Sequence, residues 1–273
     1  MNFKYILIIT TLLLVSCKKE DNIDDNTVKH LLLGNPSAAA SSDPNNYLIE
    51  RQQYSLSYNN SKHIANWVSW HLEKNDFGSA ERTNIFKTDS TLPFNWYRVK
   101  YTDYTNSGFD RGHLCPSADR TNSEIDNATT FLMTNIVPQA PKINSNTWML
   151  LESYCRKLAN NKFELYISTG TFGEGGIGNN GSATTLKNNV CIPSHFWKIA
   201  IVMPQGTDDL KRINTLTRVI AVIIPNNQLA SSKPWTYYKT TVDAIESATG
   251  LNFLNNINPN IQEKLEQKVD TIE

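Results

Sequence analysis

An α+β fold, with a mainly antiparallel sheet and helices inserted between its strands, is what the 273-residue sequence predicts. Three observations lead there. FELYISTGTF (163–172), HFWKIAIVM (195–203) and RVIAVIIPN (218–226) are apolar runs rich in β-branched and aromatic residues, the composition of buried strands. Two segments with helical spacing stand together between 123 and 159. Strands and helices therefore do not alternate, which argues against a doubly wound α/β sheet.

In chain order, YLIERQQYSLSYN (47–59) and HIANWVSWHLE (63–73) flank the turn-like NNSK and predict a β-hairpin or two neighbouring strands. Residues 74–95 have no sustained period and read as a connection or a functional loop. The first helix is expected over 123–134, with Ser123 as N-cap and Ile125, Ala128, Phe131 and Leu132 on its apolar side. The second is expected from about Ser145 to Ala159, with Trp148, Leu151, Cys155 and Leu158 on one face. Glu152 and Arg156 are near enough on its flank to pair. GEGGIGNNGSATTLKNN reads as a flexible connection, because no Lys-Ser/Thr pair and no helix follow its glycines.

The N-terminus reads as a targeting segment. Lys4, the apolar run Tyr5–Val15 and a small residue before Cys17 give residues 1–16 the plan of a signal peptide, too short for a membrane span. Leu14-Val15-Ser16-Cys17 resembles a bacterial lipobox, with Cys17 lipidated. Residues 17–46, with KKEDNIDDN and NPSAAASSDPNN, then form a lipidated flexible tether. Residues 47–260 are the expected domain and 261–273 a C-terminal tail. The expected location is exported, on an outer membrane and at the cell surface, held there through Cys17.

The sequence has 26 basic and 26 acidic residues, and removal of residues 1–16 takes away only Lys4. This balance excludes the strongly basic character of a tight nucleic-acid binder, but not a local positive groove. Of the four cysteines, Cys115, Cys155 and Cys191 remain if Cys17 is lipidated, allowing at most one intrachain disulfide.

FDRGHLCPSADR (109–120) holds a carboxylate, a guanidinium, a glycine and an imidazole in succession at Asp110, Arg111, Gly112 and His113. Phosphodiester hydrolysis needs this inventory: a base for water, a counter-charge for phosphate and help for the leaving oxygen. Histidine serves as base near neutral pH, arginine matches phosphate geometry, and a hard hydrated cation needs few protein oxygens.

FDRGHLCPSADR, followed by FLMTNIVPQAPKINSNTWMLLESYCRKL, resembles the DNA/RNA non-specific endonuclease family, the ββα-metal (His-Me finger) nucleases related to endonuclease G. The ordered elements are Asp110 to His113, Asn135 with Pro138 and Gln139, Asn144, Trp148, Leu151-Glu152 and Arg156, with Arg82 upstream. The resemblance covers roughly residues 50–255. It implies a metal-dependent endonuclease acting on DNA and RNA. His113 would be the general base, and Asn144 the direct ligand of a single hydrated Mg²⁺, with Mn²⁺ or another divalent cation as alternatives. Glu152 would hold metal-bound waters, and Arg82 would steady phosphate charge. Arg111 would assist in catalysis, and Asn135 and Arg156 would bind substrate. On the residues alone, Asn144 also suits a helix N-cap and Glu152–Arg156 an ion pair. A binding protein with decayed catalysis and a phosphodiesterase for smaller substrates stay open as other classes.

Overall fold

The computed structural model describes residues 29–272. The signal segment, Cys17 and the tether up to residue 28 lie outside the described residues. Six strands form one antiparallel sheet in the order β1-β2-β3-β6-β9-β10: β1 (Tyr47–Glu50), β2 (Ser55–Asn59), β3 (Ile64–Leu72), β6 (Phe163–Phe172), β9 (His195–Pro204) and β10 (Arg218–Pro225). Two small two-stranded units complete the set: β4 (Asp110–His113) with β5 (Ile136–Gln139), and β7 (Gly176–Gly178) with β8 (Gly181–Ala183). The α-helices of six or more residues are α1 (Glu124–Thr129), α2 (Met149–Asn160), α3 (Val242–Thr249) and α4 (Pro259–Glu266).

The long strands are continuously apolar because both faces of the sheet are covered. On the front, Val68, Trp70, Ile167, Phe196, Val202 and Ile220 pack with Trp148, Leu151 and Cys155 around α2. On the back, Trp67, Tyr166, Trp197, Ile199 and Val219 pack with Val242 and Ile245 of α3 and Leu265 of α4. Alternation of side chains along each strand separates the two sets.

Several expected boundaries move. Residues 29–46 do not behave as tether: Leu33 and Ala39 enter the back core. His30 is buried, with Nε2 at 2.9 Å from the Gln52 carbonyl and Nδ1 accepting from the His71 amide at 3.1 Å. The expected tail is likewise part of the fold. It contains most of α4, and buried Asp270 pairs with Arg218 at 2.9 Å and Lys239 at 3.0 Å. Residues 47–59 are two strands rather than one, since the chain turns at Arg51, whose amide donates to the Tyr54 carbonyl at 3.0 Å. The glycine-rich connection is ordered as β7–β8 and tied down through the Asn179 amide on the Gly108 carbonyl at 2.8 Å.

Helix α1 is half its expected length. Ser123 caps it as expected, accepting from the Asp126 amide at 3.1 Å. After Thr129 the chain turns, because the Asn135 side chain takes the Thr130 carbonyl at 2.8 Å. Ile125 is 75% exposed, so it takes no part in the apolar side expected there. Cys115, Cys155 and Cys191 are all free and buried.

Candidate active site

Strand β4 is the Asp-Arg-Gly-His segment, and it pairs with β5 so that His113 faces Ile136, Gly112 faces Val137 and Asp110 faces Gln139. Gly112 has no substitute here, since a Cβ would lie 2.3 Å from Gln139 Oε1 and 2.7 Å from Gln139 Cβ. Arg111 and His113, two residues apart, project to the same side of the strand. Phe86 stands beside both, with its ring centroid 4.7 Å from the Arg111 guanidinium carbon and 5.6 Å from the His113 ring. Phe131 closes the other flank of His113, edge to face at 4.8 Å.

This enclosure leaves His113 only 8% exposed, and its Nε2 is buried with no hydrogen-bond partner. Burial first, and the neighbouring Arg82 charge second, pull His113 down to about 3, so the imidazole rests neutral and can accept a proton.

Opposite β4 the chain enters helix through one wide π turn, Ile143–Trp148, and continues as α2. Such turns shift side chains off the regular helical spiral and recur at functional sites. Asn144 sits in that turn. It does not cap the helix: its Nδ2 donates to Asp110 Oδ2 at 2.8 Å. Among the described residues nothing donates to its Oδ1, which is left as an oxygen ligand. Two turns further on, Glu152 faces the same opening, and burial pushes its carboxyl up to about 7. Glu152 does not pair with Arg156. Arg156 instead donates to Asp119 Oδ1 at 2.9 Å and to Ser153 Oγ at 3.0 Å, while Trp70 Nε1 donates to Asp119 Oδ2 at 3.1 Å.

Arg82 comes from the long loop after β3. Its Nε donates to Asn84 Oδ1 at 2.7 Å, another guanidinium nitrogen donates to Ser117 Oγ, and the group lies 4.9 Å over the Phe131 ring. Backbone bonds between Lys87 and the Phe131–Met133 stretch, 3.1 and 2.9 Å, fix that loop against the site. Arg82, Arg111, His113, Asn144, Glu152 and Arg156 thus line one open cleft of about 250 Å³.

Asn135 is the exception among the expected site residues. It is fully buried behind the cleft. Its amide bridges Cys115 N and Cys115 O, both at 2.9 Å, as well as the Thr130 carbonyl. The expected contact with substrate is therefore corrected: Asn135 fastens the turn that follows His113. The sequence reading also passed over Phe86, Phe131, Ser117 and Asp119, whose parts come only from tertiary packing. Asp119 and Ser117 lie within the quoted motif, and that proximity was the only signal available for them.

Asn144 Oδ1 and the Glu152 carboxylate are hard oxygen donors to which no cation among the described residues is bonded, and they fit a hydrated divalent ion. A second group with ligand potential, His71, Glu164 and Asp209, lies elsewhere in the fold. There the Arg212 guanidinium bonds both carboxylates, so it is an ion-pair network.

A neutral imidazole, two oxygen donors and three arginines around one opening suit a hydrolase that cuts phosphodiesters with the help of a hard cation. Comparison with known proteins gives the family. The family model for DNA/RNA non-specific endonucleases matches residues 35–260. A nuclease of Nostoc sp. is 50% identical over 243 residues, covering 88% of this chain and 86% of that protein. Human mitochondrial endonuclease G is 30% identical over 217 residues, covering 77% and 70%. The solved EndoG/EndoGI complex superposes with a TM-score of 0.71 at 23% identity, covering 86% of this chain and 94% of the other, a likeness of fold. The chain belongs to the DNA/RNA non-specific endonuclease family.

Proposed function

We propose that this endonuclease cuts DNA and RNA with His113 as general base and a single hydrated Mg²⁺ held directly by Asn144. The observation that carries this reading is the neutral, enclosed His113 facing the same cleft as the two free oxygen donors. His113 takes the proton of the attacking water. A cation held by Asn144 would supply Lewis-acid stabilisation of the leaving oxygen. Asp110 holds the Asn144 amide by its nitrogen, which aims the oxygen into the cleft. Glu152 orients water molecules of the hydrated ion. Arg82 and Arg111 neutralise phosphate charge, and Arg156, fixed by Asp119, flanks the bound strand. Contacts of this kind grip the backbone and carry no direct base information, which suits a nuclease without sequence preference.

The test is incubation of the residue 18–273 protein with closed circular plasmid and with RNA, with and without EDTA. Nicking of the circle, loss of RNA and suppression by chelator are expected. An intact circle alongside trimmed linear DNA would overturn the endonuclease assignment, and cutting that survives EDTA would overturn the metal.

We further propose that the protein is exported as a lipoprotein acylated at Cys17 and displayed on an outer membrane. The lipobox-like Leu14-Val15-Ser16-Cys17 and the charged residues behind it support this reading. Among the described residues no helix is long and apolar enough to cross a membrane. Fractionation of a Cys17→Ala variant is the check. Release from the membrane fraction is expected, and retention there would sink the anchor.

A further inference from the structure

Arg82 and Arg111 are held at the cleft by different means. Arg82 is fastened by hydrogen bonds to Asn84 and Ser117. Among the described residues no acceptor takes a hydrogen bond from the exposed Arg111 guanidinium. Its contact is with Phe86, over whose ring centre the guanidinium carbon stands at 4.7 Å. Phe86 is itself fixed. It is half-buried and packs edge to face on Phe131 at 5.1 Å. The next residue, Lys87, is bonded through its backbone to Phe131 at 3.1 Å and to Met133 at 2.9 Å. The loop thus turns its aromatic residue toward Arg111 and leaves the aliphatic Ile85 beside it 61% exposed.

A free arginine on a surface samples many rotamers, and a phosphate that captures it must order the whole side chain at that moment. A ring beneath the guanidinium narrows those choices in advance. The attraction is between a cation and the negative face of an aromatic ring, and it needs no acceptor atom. The five N–H donors of Arg111 therefore stay available to phosphate oxygens, which a carboxylate partner would have displaced from the fork. The adjacent acid, Asp110, is turned away from this role, since its Oδ2 accepts from Asn144 at 2.8 Å. Arg111 so keeps both its charge and its donors, with orientation supplied by an apolar neighbour.

We propose that Phe86 is a positioning residue for substrate binding: its ring holds the Arg111 guanidinium in place ahead of the nucleic acid and leaves the hydrogen-bonding fork free for a backbone phosphate. The proposal rests on the phosphate role given to Arg111 above. It gives the loop after β3 a second part in gripping substrate, beside that of Arg82.

A double-mutant cycle on the residue 18–273 protein, which holds every described residue, tests it. The variants are Phe86→Leu, Arg111→Met and the two combined, with Phe86→Tyr beside them. The readings are KM, kcat, the thermal midpoint, and the Kd for a labelled DNA duplex in EDTA. Phe86→Leu should fold and raise KM and Kd by about two- to fivefold, the size of an exposed cation–π contact. In the Arg111→Met background the same change should alter both by less than about 1.5-fold, because the group on which Phe86 acts is already gone. Phe86→Tyr keeps the ring and should bind nearly as the parent does. Phe86→Met carries the comparison if the leucine variant does not fold. Unchanged KM and Kd in a folded Phe86→Leu, losses that multiply in the double variant, or a tyrosine variant no better than leucine would overturn the proposal. A loss confined to kcat would overturn it too, since Phe86 would then serve His113 alone. If Arg111→Met by itself leaves KM and Kd unchanged, the phosphate role of Arg111 fails and takes the proposal with it, an outcome distinct from the others.

Discussion

His113 is prepared for one protonation state by packing rather than by a partner. Two phenyl rings and an unpaired buried Nε2 keep it neutral, so in the free enzyme it holds the proton-accepting form through neutral and mildly acidic pH. Replacement by alanine should leave metal and nucleic-acid binding in place and lower turnover by ~10²–10⁴-fold. Full activity in that variant would return the segment to a mere turn. Asn144→Ala should behave differently: its rate should recover in part as Mg²⁺ is raised, whereas that of His113→Ala should not. Glu152 gives a third signature. Its carboxyl is raised to about 7, so without a cation it is protonated below that pH and charged above it. Bound metal favours the charged form and lowers that value. The acidic limb of kcat/KM should therefore move to lower pH with rising Mg²⁺, and a limb that stays fixed would show that Glu152 is not coupled to the ion.

The β4–β5 pair and the π turn before α2 set the distances between these groups, and neither tolerates small changes. Gly112→Ala, on the strand that carries the base, would drive a methyl group into Gln139 of the paired strand β5. It should cost activity out of proportion to its size, with circular dichroism near that of the parent. Asn135→Ala would free the Cys115 backbone and leave buried polar groups unpaired, at ~1–3 kcal/mol. Its thermal midpoint should fall, and kcat should fall with it because His113 is the second residue before Cys115. A variant of normal stability and weakened substrate binding would restore the surface role that the sequence suggested for Asn135. Here the limits of sequence reading are physical. Asp-Arg-Gly-His, Asn144 and Glu152 are legible because their order and spacing match the motif of a known family; on their own chemistry a turn, a helix cap and an ion pair served as well. Asn135 carries the same polar amide as a surface ligand, and only burial distinguishes a strap from a contact. The shortening of α1 was hidden for a related reason: Phe131 has helical spacing, yet it turns out of the helix to pack on His113.

The molecule as a whole is a sheet covered twice, and its second cover was the least legible part. Residues 29–46 have the composition of a linker, and only a few of them, such as His30, Leu33 and Ala39, are needed to seal the back core. The three long strands were evident as strands; that both their faces are buried is implicit in their unbroken apolarity. The C-terminal segment closes the same body through Asp270. Asp270→Ala would strand Arg218 and Lys239 and should cost ~3–5 kcal/mol, the price of breaking a buried pair. A thermal midpoint within a degree of the parent would show that residues beyond α4 are dispensable after all.

Cys115, Cys155 and Cys191 stand apart as buried thiols, and burial raises the proton affinity of all three, so thiolate, the nucleophile that attacks disulfides and oxidants, is scarce. None of the described scaffold depends on a sulfur–sulfur bond. Its stability should be indifferent to the redox state of its surroundings, with the same thermal midpoint in millimolar reductant and in air-equilibrated buffer. A nuclease built this way can fold in reducing or in oxidising surroundings, and can work where oxygen is absent.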